Sequence, residues 1–185
     1  MKRTFFAVDI PVNTVLSGVL LDIRNQLKGE RIKWIPADQL HLTLKFLGDT
    51  PENSVQEIIN AVSESLSNST VIPLHLGSVG VFKSLKNPRI IWIGAEPCPP
   101  LQQIAAFLDE SLLSFGFATE EKEFRPHLTI GRVKEINQRE KLSRVVEQYR
   151  NESFGMVSLN AILFYESCLK PEGPVYLPLK RFPLR

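Results

Sequence analysis

His41-Leu42-Thr43-Leu44-Lys45-Phe46-Leu47-Gly48 and Phe124-Arg125-Pro126-His127-Leu128-Thr129-Ile130-Gly131-Arg132 share one core: a histidine and a threonine two positions apart, alternating with aliphatic residues. Two of the chain's three histidines lie in these stretches. In an extended strand, residues i and i+2 project from one face and their neighbours from the other. Each copy therefore sets an imidazole beside a hydroxyl on one face and presents aliphatic groups to a core on the other. If the two strands face one another across a cleft, two imidazoles and two hydroxyls surround one small volume. That set suits acid–base chemistry on a phosphate.

The surroundings of the two copies match as well. Val15, Leu16, Val19, Leu20, Ile23 and Leu27 form a helical stripe ended by Gly29. Thr50-Pro51 reads as a cap and first turn for a second helix carrying Val55, Ile58, Ile59, Val62 and Leu66. A third is read from Leu101 to Leu112, stopping near Gly116, and a fourth from Leu142, Val145, Val146 and Tyr149. Strands are predicted at Thr4–Ile10, His41–Leu47, Ile72–Val81, Arg89–Gly94, His127–Val133, Val157–Glu166 and Val175–Leu179. Each His-x-Thr strand thus falls between two helices. The expectation is an internal pseudo-duplication, with two lobes each giving one motif to a shared groove. No linker or composition shift divides residues 1–185, which are read as a single bilobal domain.

Composition narrows the function classes. A chain of 185 residues buries about 70% of its unfolded surface, enough for a core without disulfides. Cys98 and Cys168 are isolated and form no CxxC or Cys/His ligand pattern, so reduced thiols and a cytoplasmic location are expected. Asp9 and Pro11 interrupt the apolar run Phe5-Phe6-Ala7-Val8, which is too short for a signal-peptide core, and no membrane span is expected. With 22 Lys+Arg against 20 Asp+Glu the net charge is +2, so any anion site must be local.

The two motif stretches resemble the paired HxTx motifs of the two-histidine (2H) phosphoesterases. Within them the chain is similar to the RNA 2',3'-cyclic phosphodiesterases, also described as 2'-5' RNA ligases. Supporting stretches are Arg3-Thr4-Phe5-Phe6-Ala7-Val8, Gly80-Val81-Phe82 and Pro88-Arg89-Ile90-Ile91-Trp92-Ile93-Gly94. The resemblance implies an α+β, bilobal, pseudo-duplicated fold, with antiparallel sheets lining a central groove and helices packed outside. It implies hydrolysis of an RNA terminal 2',3'-cyclic phosphate to a 2'-phosphomonoester, without metal or cofactor. Acting on RNA ends or nucleotide 2',3'-cyclic phosphates, the protein is expected to be a monomer.

Opening such a ring needs a base for water, an acid for the departing ribose oxygen, and donors on the non-bridging oxygens. By the resemblance, His41 is the proton donor to O3' and His127 the proton acceptor, while Thr43 and Thr129 are the phosphate donors. Strict alternation adds Lys45 to the face of His41 and Thr43, and Arg125 to that of His127 and Thr129. The family pattern also favours Arg132 as a phosphate ligand, although alternation puts it on the opposite face, with Gly131 offering the local twist to bring it in. Phe82 is a candidate base-stacking platform. His75 lacks a threonine partner and is read as structural or solvent-facing rather than a proton carrier, Trp34 and Trp92 as core, and Lys180, Arg181 and Arg185 as a solvated tail. Two rival enzyme readings stay open, 2'-5' RNA ligation and cleavage of small cyclic nucleotides, as does a non-catalytic RNA-end binding module.

Overall fold

A computed structural model describes residues 1–120, 123–171 and 173–185. The strands are β1 (Lys2–Asp9), β2 (Arg31–Trp34), β3 (His41–Thr50), β4 (Ile72–Ser84), β5 (Asn87–Ala95), β6 (His127–Glu135), β7 (Ser153–Leu159), β8 (Ala161–Lys170) and β9 (Gly173–Pro183). The helices are α1 (Thr14–Gln26), α2 (Ser54–Ser67), α3 (Pro99–Ser111) and α4 (Arg139–Gln148). The strands pair antiparallel, in the order β7-β4-β5-β6-β3-β1-β8-β9, with β2 added to β6. The expected α+β architecture is present.

The pseudo-duplication is visible in this order. The run β1-α1-β3-α2 repeats as β5-α3-β6-α4, and β3 and β6 lie side by side at the middle of the sheet. β2 is an addition, missed in the sequence because it is a short strand of alternating charged and apolar residues. Val157–Glu166 proves to be two strands, since the chain leaves β7 at Leu159 and enters β8 at Ala161. Only Asn160 separates them, yet β7 pairs with β4 and β8 with β1. A single residue spans a few ångströms, so the sheet must curl until its two ends approach. A concave trough results.

The convex face carries the main core. Alternate residues such as Phe6, Val8, Leu42, Leu74, Ile93 and Leu128 are buried there. The helices bury their apolar stripes against it: Leu16, Leu20 and Ile23 from α1, Ile58, Val62 and Leu66 from α2, Leu101 and Leu108 from α3. Asn13 caps α1 by accepting from the Leu16 amide. Thr50 is no cap, since it ends β3, and its hydroxyl pairs with that of Thr4 inside the protein. A smaller cluster, Phe5, Ala7, Ala161, Leu163 and Tyr165 with Tyr176, covers the opposite face of β1 and β8.

Candidate active site

β3 and β6 touch through one register pair, Leu42 opposite Leu128, both completely buried. Their neighbours His41, Thr43, His127 and Thr129 project to the other face and are partly exposed. Continuing the antiparallel register sets His41 beside Thr129 and Thr43 beside His127. The imidazoles are held identically: Nδ1 of His41 lies 2.8 Å from the Gln39 carbonyl, and Nδ1 of His127 lies 2.8 Å from the Arg125 carbonyl. A carbonyl only accepts, so each Nδ1 carries a proton. Each neutral ring then keeps its Nε2 lone pair for other chemistry.

A bulge sits at the same place in both motifs and decides which cations reach the groove. Ala7 pairs with Thr43 and Phe6 with Lys45, leaving Leu44 unopposed. Likewise Trp92 pairs with Thr129 and Ile91 with Gly131, leaving Ile130 unopposed. One extra residue inverts the alternation beyond it. Lys45 is therefore not beside His41 and Thr43: it turns toward the helices, is 2% exposed, pairs with Asp109 of α3 and donates to the Ala118 carbonyl. Phe46 takes the groove position instead. In β6 the same inversion exposes Arg132, on the groove face. Its charge reaches far enough to disfavour protonation of His41. Gly131 is pressed against Ile32 and Trp34, where a side chain would collide.

The two imidazoles differ in their surroundings. His41 is packed against Phe5, with ring centres 5.2 Å apart, and edge-on to Tyr176 at 4.9 Å. Burial lowers its pKa below the usual imidazole value, opposed by its bond to Gln39 and by the charge of Asp9. Asp9 stands opposite His41 in the sheet and accepts from the Tyr165 hydroxyl at 2.8 and 2.9 Å. That phenol's pKa is raised by burial and by the carboxylate. Opposite His127 is Gly94. A cavity of about 950 Å³ opens beside His127, lined by Thr43, Phe46, Phe82, Asp109, Phe124 and Arg125 with other residues, and His41 lies outside that lining.

Phe82 is 40% exposed and stands edge-on to His127, ring centres 4.7 Å apart. Behind it is Trp92, at 5.6 Å, so this indole backs the groove rather than filling the core. Gly80 makes room for it: a Cβ there would fall 2.1 Å from the indole. Arg125 lines the cavity and is ion-paired with Glu123 at 3.6 Å. His75 has both ring nitrogens engaged, with Glu96 at 2.8 Å and Ser153 at 2.7 Å, matching its structural reading. Lys180 and Arg181 belong to β9 and the Arg185 backbone bonds Ser69 and Val71, so they form no tail, although all three side chains are exposed. Cys98 and Cys168 are free thiols. Among the described residues no group of three or more His, Cys, Asp or Glu side chains is arranged to hold a metal ion, and no helix is long and apolar enough to cross a membrane.

A family model described as the 2'-5' RNA ligase superfamily matches residues 21–162. A Methanocaldococcus jannaschii protein named RNA 2',3'-cyclic phosphodiesterase is 38% identical, the match covering 97% of this chain and 99% of its own. One of the same name from Archaeoglobus fulgidus is 34% identical, with 97% and 99% covered. A crystal structure of a Thermus thermophilus protein superimposes with a TM-score of 0.81 at 27% identity, covering 99% of this chain and 98% of that one. E. coli LigT crystallised with 3'-AMP gives 0.75 at 24% identity, covering 99% and 98%, a likeness of fold. With the family model spanning both His-x-Thr strands and relatives matching nearly end to end, this chain belongs to the 2'-5' RNA ligase superfamily.

Proposed function

We propose that the protein hydrolyses the terminal 2',3'-cyclic phosphate of RNA to a 2'-phosphomonoester, using both lobes of the chain as one catalytic unit and no metal ion. The observation that carries this reading is the matched anchoring of the two imidazoles, each with Nδ1–H on a carbonyl and both on the face of the two threonines. The relatives named RNA 2',3'-cyclic phosphodiesterase support the substrate class of this reading.

In the proposed reaction Nε2 of His127 removes a proton from water as its oxygen bonds to phosphorus. The P–O3' bond breaks, and O3' takes a proton from Nε2 of a protonated His41. The product is a 2'-phosphate with a free 3'-hydroxyl, and the two histidines exchange protonation states. Thr43, Thr129 and Arg132 neutralise charge growing on the non-bridging oxygens. Phe82 and the cavity beside it receive the terminal nucleoside, whose base stacks without sequence readout, and Arg125 lies at its rim.

The burial of His41 favours a second assignment of the proton roles. A ring with a lowered pKa is mostly neutral near pH 7, which suits a base, whereas an acid must be protonated before the reaction. A bound phosphodiester anion would act in the opposite direction, toward the protonated ring that the first assignment needs. One assay tests the activity and the leaving oxygen together: the purified protein is incubated with RNA ending in a 2',3'-cyclic phosphate, and the position of the product phosphate is identified. A 2'-phosphate is expected. A 3'-phosphate would mean that O2' leaves, and an unchanged end would leave the RNA-end binding module as the better reading. Adding an RNA with a free 5'-hydroxyl to the same assay tests ligation, which is ring opening with that hydroxyl in place of water.

A further inference from the structure

We infer that Lys45 is a positioning residue that fixes the wall of the nucleoside groove, an inference resting on the activity proposed above. An ammonium this deep, 2% exposed, is strongly disfavoured unless it is paired and bonded. Lys45 meets that requirement with two partners from different parts of the chain. Its hydrogen bond goes to the Ala118 carbonyl, and its charge faces the Asp109 carboxylate on α3. The other Asp109 oxygen accepts from the Glu120 amide at 3.2 Å. One ion pair therefore ties β3, α3 and the start of the segment after α3 to one another.

Asp109 and Glu120 themselves line the cavity beside His127, together with Glu123, Phe124 and Arg125. The beginning of β6 is held separately, by the Ala95 amide on the Pro126 carbonyl at 3.2 Å and by the pairing of Gly94 with His127. Removing the lysine should thus loosen the wall that touches the nucleoside and leave the imidazole in place. Substrate binding would suffer while the chemical step would not.

The test compares the parent, Lys45→Met, and Lys45→Met combined with Asp109→Asn, on RNA ending in a 2',3'-cyclic phosphate. Amide exchange over residues 118–120 and 123–125 is followed in parallel. We expect exchange there to quicken about 10-fold in both variants, with KM raised about 10-fold and kcat within about threefold of the parent. The double variant leaves no unpaired carboxylate, so its exchange rate carries the test if the single one does not fold, while KM is read from the single variant because Asp109 itself lines the cavity. Exchange at the parental rate would overturn the inference. So would a parental KM, or a kcat that falls as far as KM rises, since either would make Lys45 structural or catalytic rather than positioning. An inactive parent combined with quickened exchange would remove the proposed activity and leave the strut standing.

Discussion

His41 and His127 begin equivalent strands, bond equivalent carbonyls and precede equivalent bulges, yet the residue across the sheet is Asp9 for one and Gly94 for the other. Around His41 the sheet sets Phe5 and Tyr176 against the ring, with Tyr165 stacked on Phe5. Around His127 it opens a cavity walled by Phe82 and Phe124. Five positions after each histidine stand Phe46 in one lobe and Arg132 in the other. A duplicated backbone thus holds two imidazoles alike, and unlike surroundings suit them to the unlike tasks proposed for them. One is packed among aromatic rings, the other lines an open cavity.

The largest expected effects test whether the lobes are equal partners. His41→Ala and His127→Ala should each lower kcat by about 10²–10⁴-fold with little change in fold, the usual range for general acid–base help. A folded variant with near-normal turnover would remove that histidine from the mechanism. Replacing O3' of the cyclic substrate by sulfur separates the tasks, because a thiolate leaves without a proton. Activity of the acid's variant should recover with that substrate, and activity of the base's variant should not. Recovery in His127→Ala instead of His41→Ala would reverse the proposed roles.

Next come the groups that the lobes hold in common. Thr43→Val and Thr129→Val keep shape and lose a donor, and each should lower kcat by about 10²-fold with a smaller change in KM. If both bind and turn over like the parent, the two strands do not converge on one phosphate. Full activity after exhaustive chelation is expected as well. Loss that a divalent metal restores would end the metal-free scheme.

A smaller effect probes the open side alone. Phe82→Ala should raise KM about 5- to 100-fold, the span of one lost base stack. Gly80→Ala should act in the same direction, because its methyl would meet Trp92 and displace the ring behind Phe82. A KM unaffected by either change would move the base to another wall, with Phe46 and Phe124 the aromatic groups left in that cavity.

How far the sequence could be read follows from the range of the interactions involved. The His-x-Thr strands, the four helices and the duplication rest on local periodicity and were legible. The bulges were not, because Leu44 and Ile130 are ordinary strand residues and only pairing with β1 and β5 shows them to be unopposed. Lys45 was misplaced for that reason, and Arg132 needed the same inversion to reach the groove. Asp9, Tyr165 and Tyr176 come together only when β1, β8 and β9 pair, the first two lying 156 positions apart in sequence. The one local hint was Asp9, a charge ending an otherwise buried strand.

The smallest expected effect concerns stability and isolates the closed side. In the folded protein the pKa of His41 lies below its ordinary value of 6.5, chiefly through burial, with Asp9 acting against the shift and Arg132 with it. Between the lowered value and 6.5 the unfolded chain binds more protons than the folded one at this position, so stability must rise with pH across that window. Equivalently, stability present above about pH 6.5 is lost as the pH falls through the folded value. The slope contributed by one such group cannot exceed about 1.4 kcal/mol per pH unit. His41→Asn removes the titrating ring and should flatten this part of the profile. Denaturant unfolding of parent and variant at a series of pH values from about 7.5 downward, each about half a unit apart, reads the difference directly. Converging stabilities on acidification, the parent losing more than the variant, support a desolvated His41. Parallel curves would mean that its ring is as well solvated as in the unfolded chain, and the contrast between a closed and an open histidine would have to rest on geometry alone.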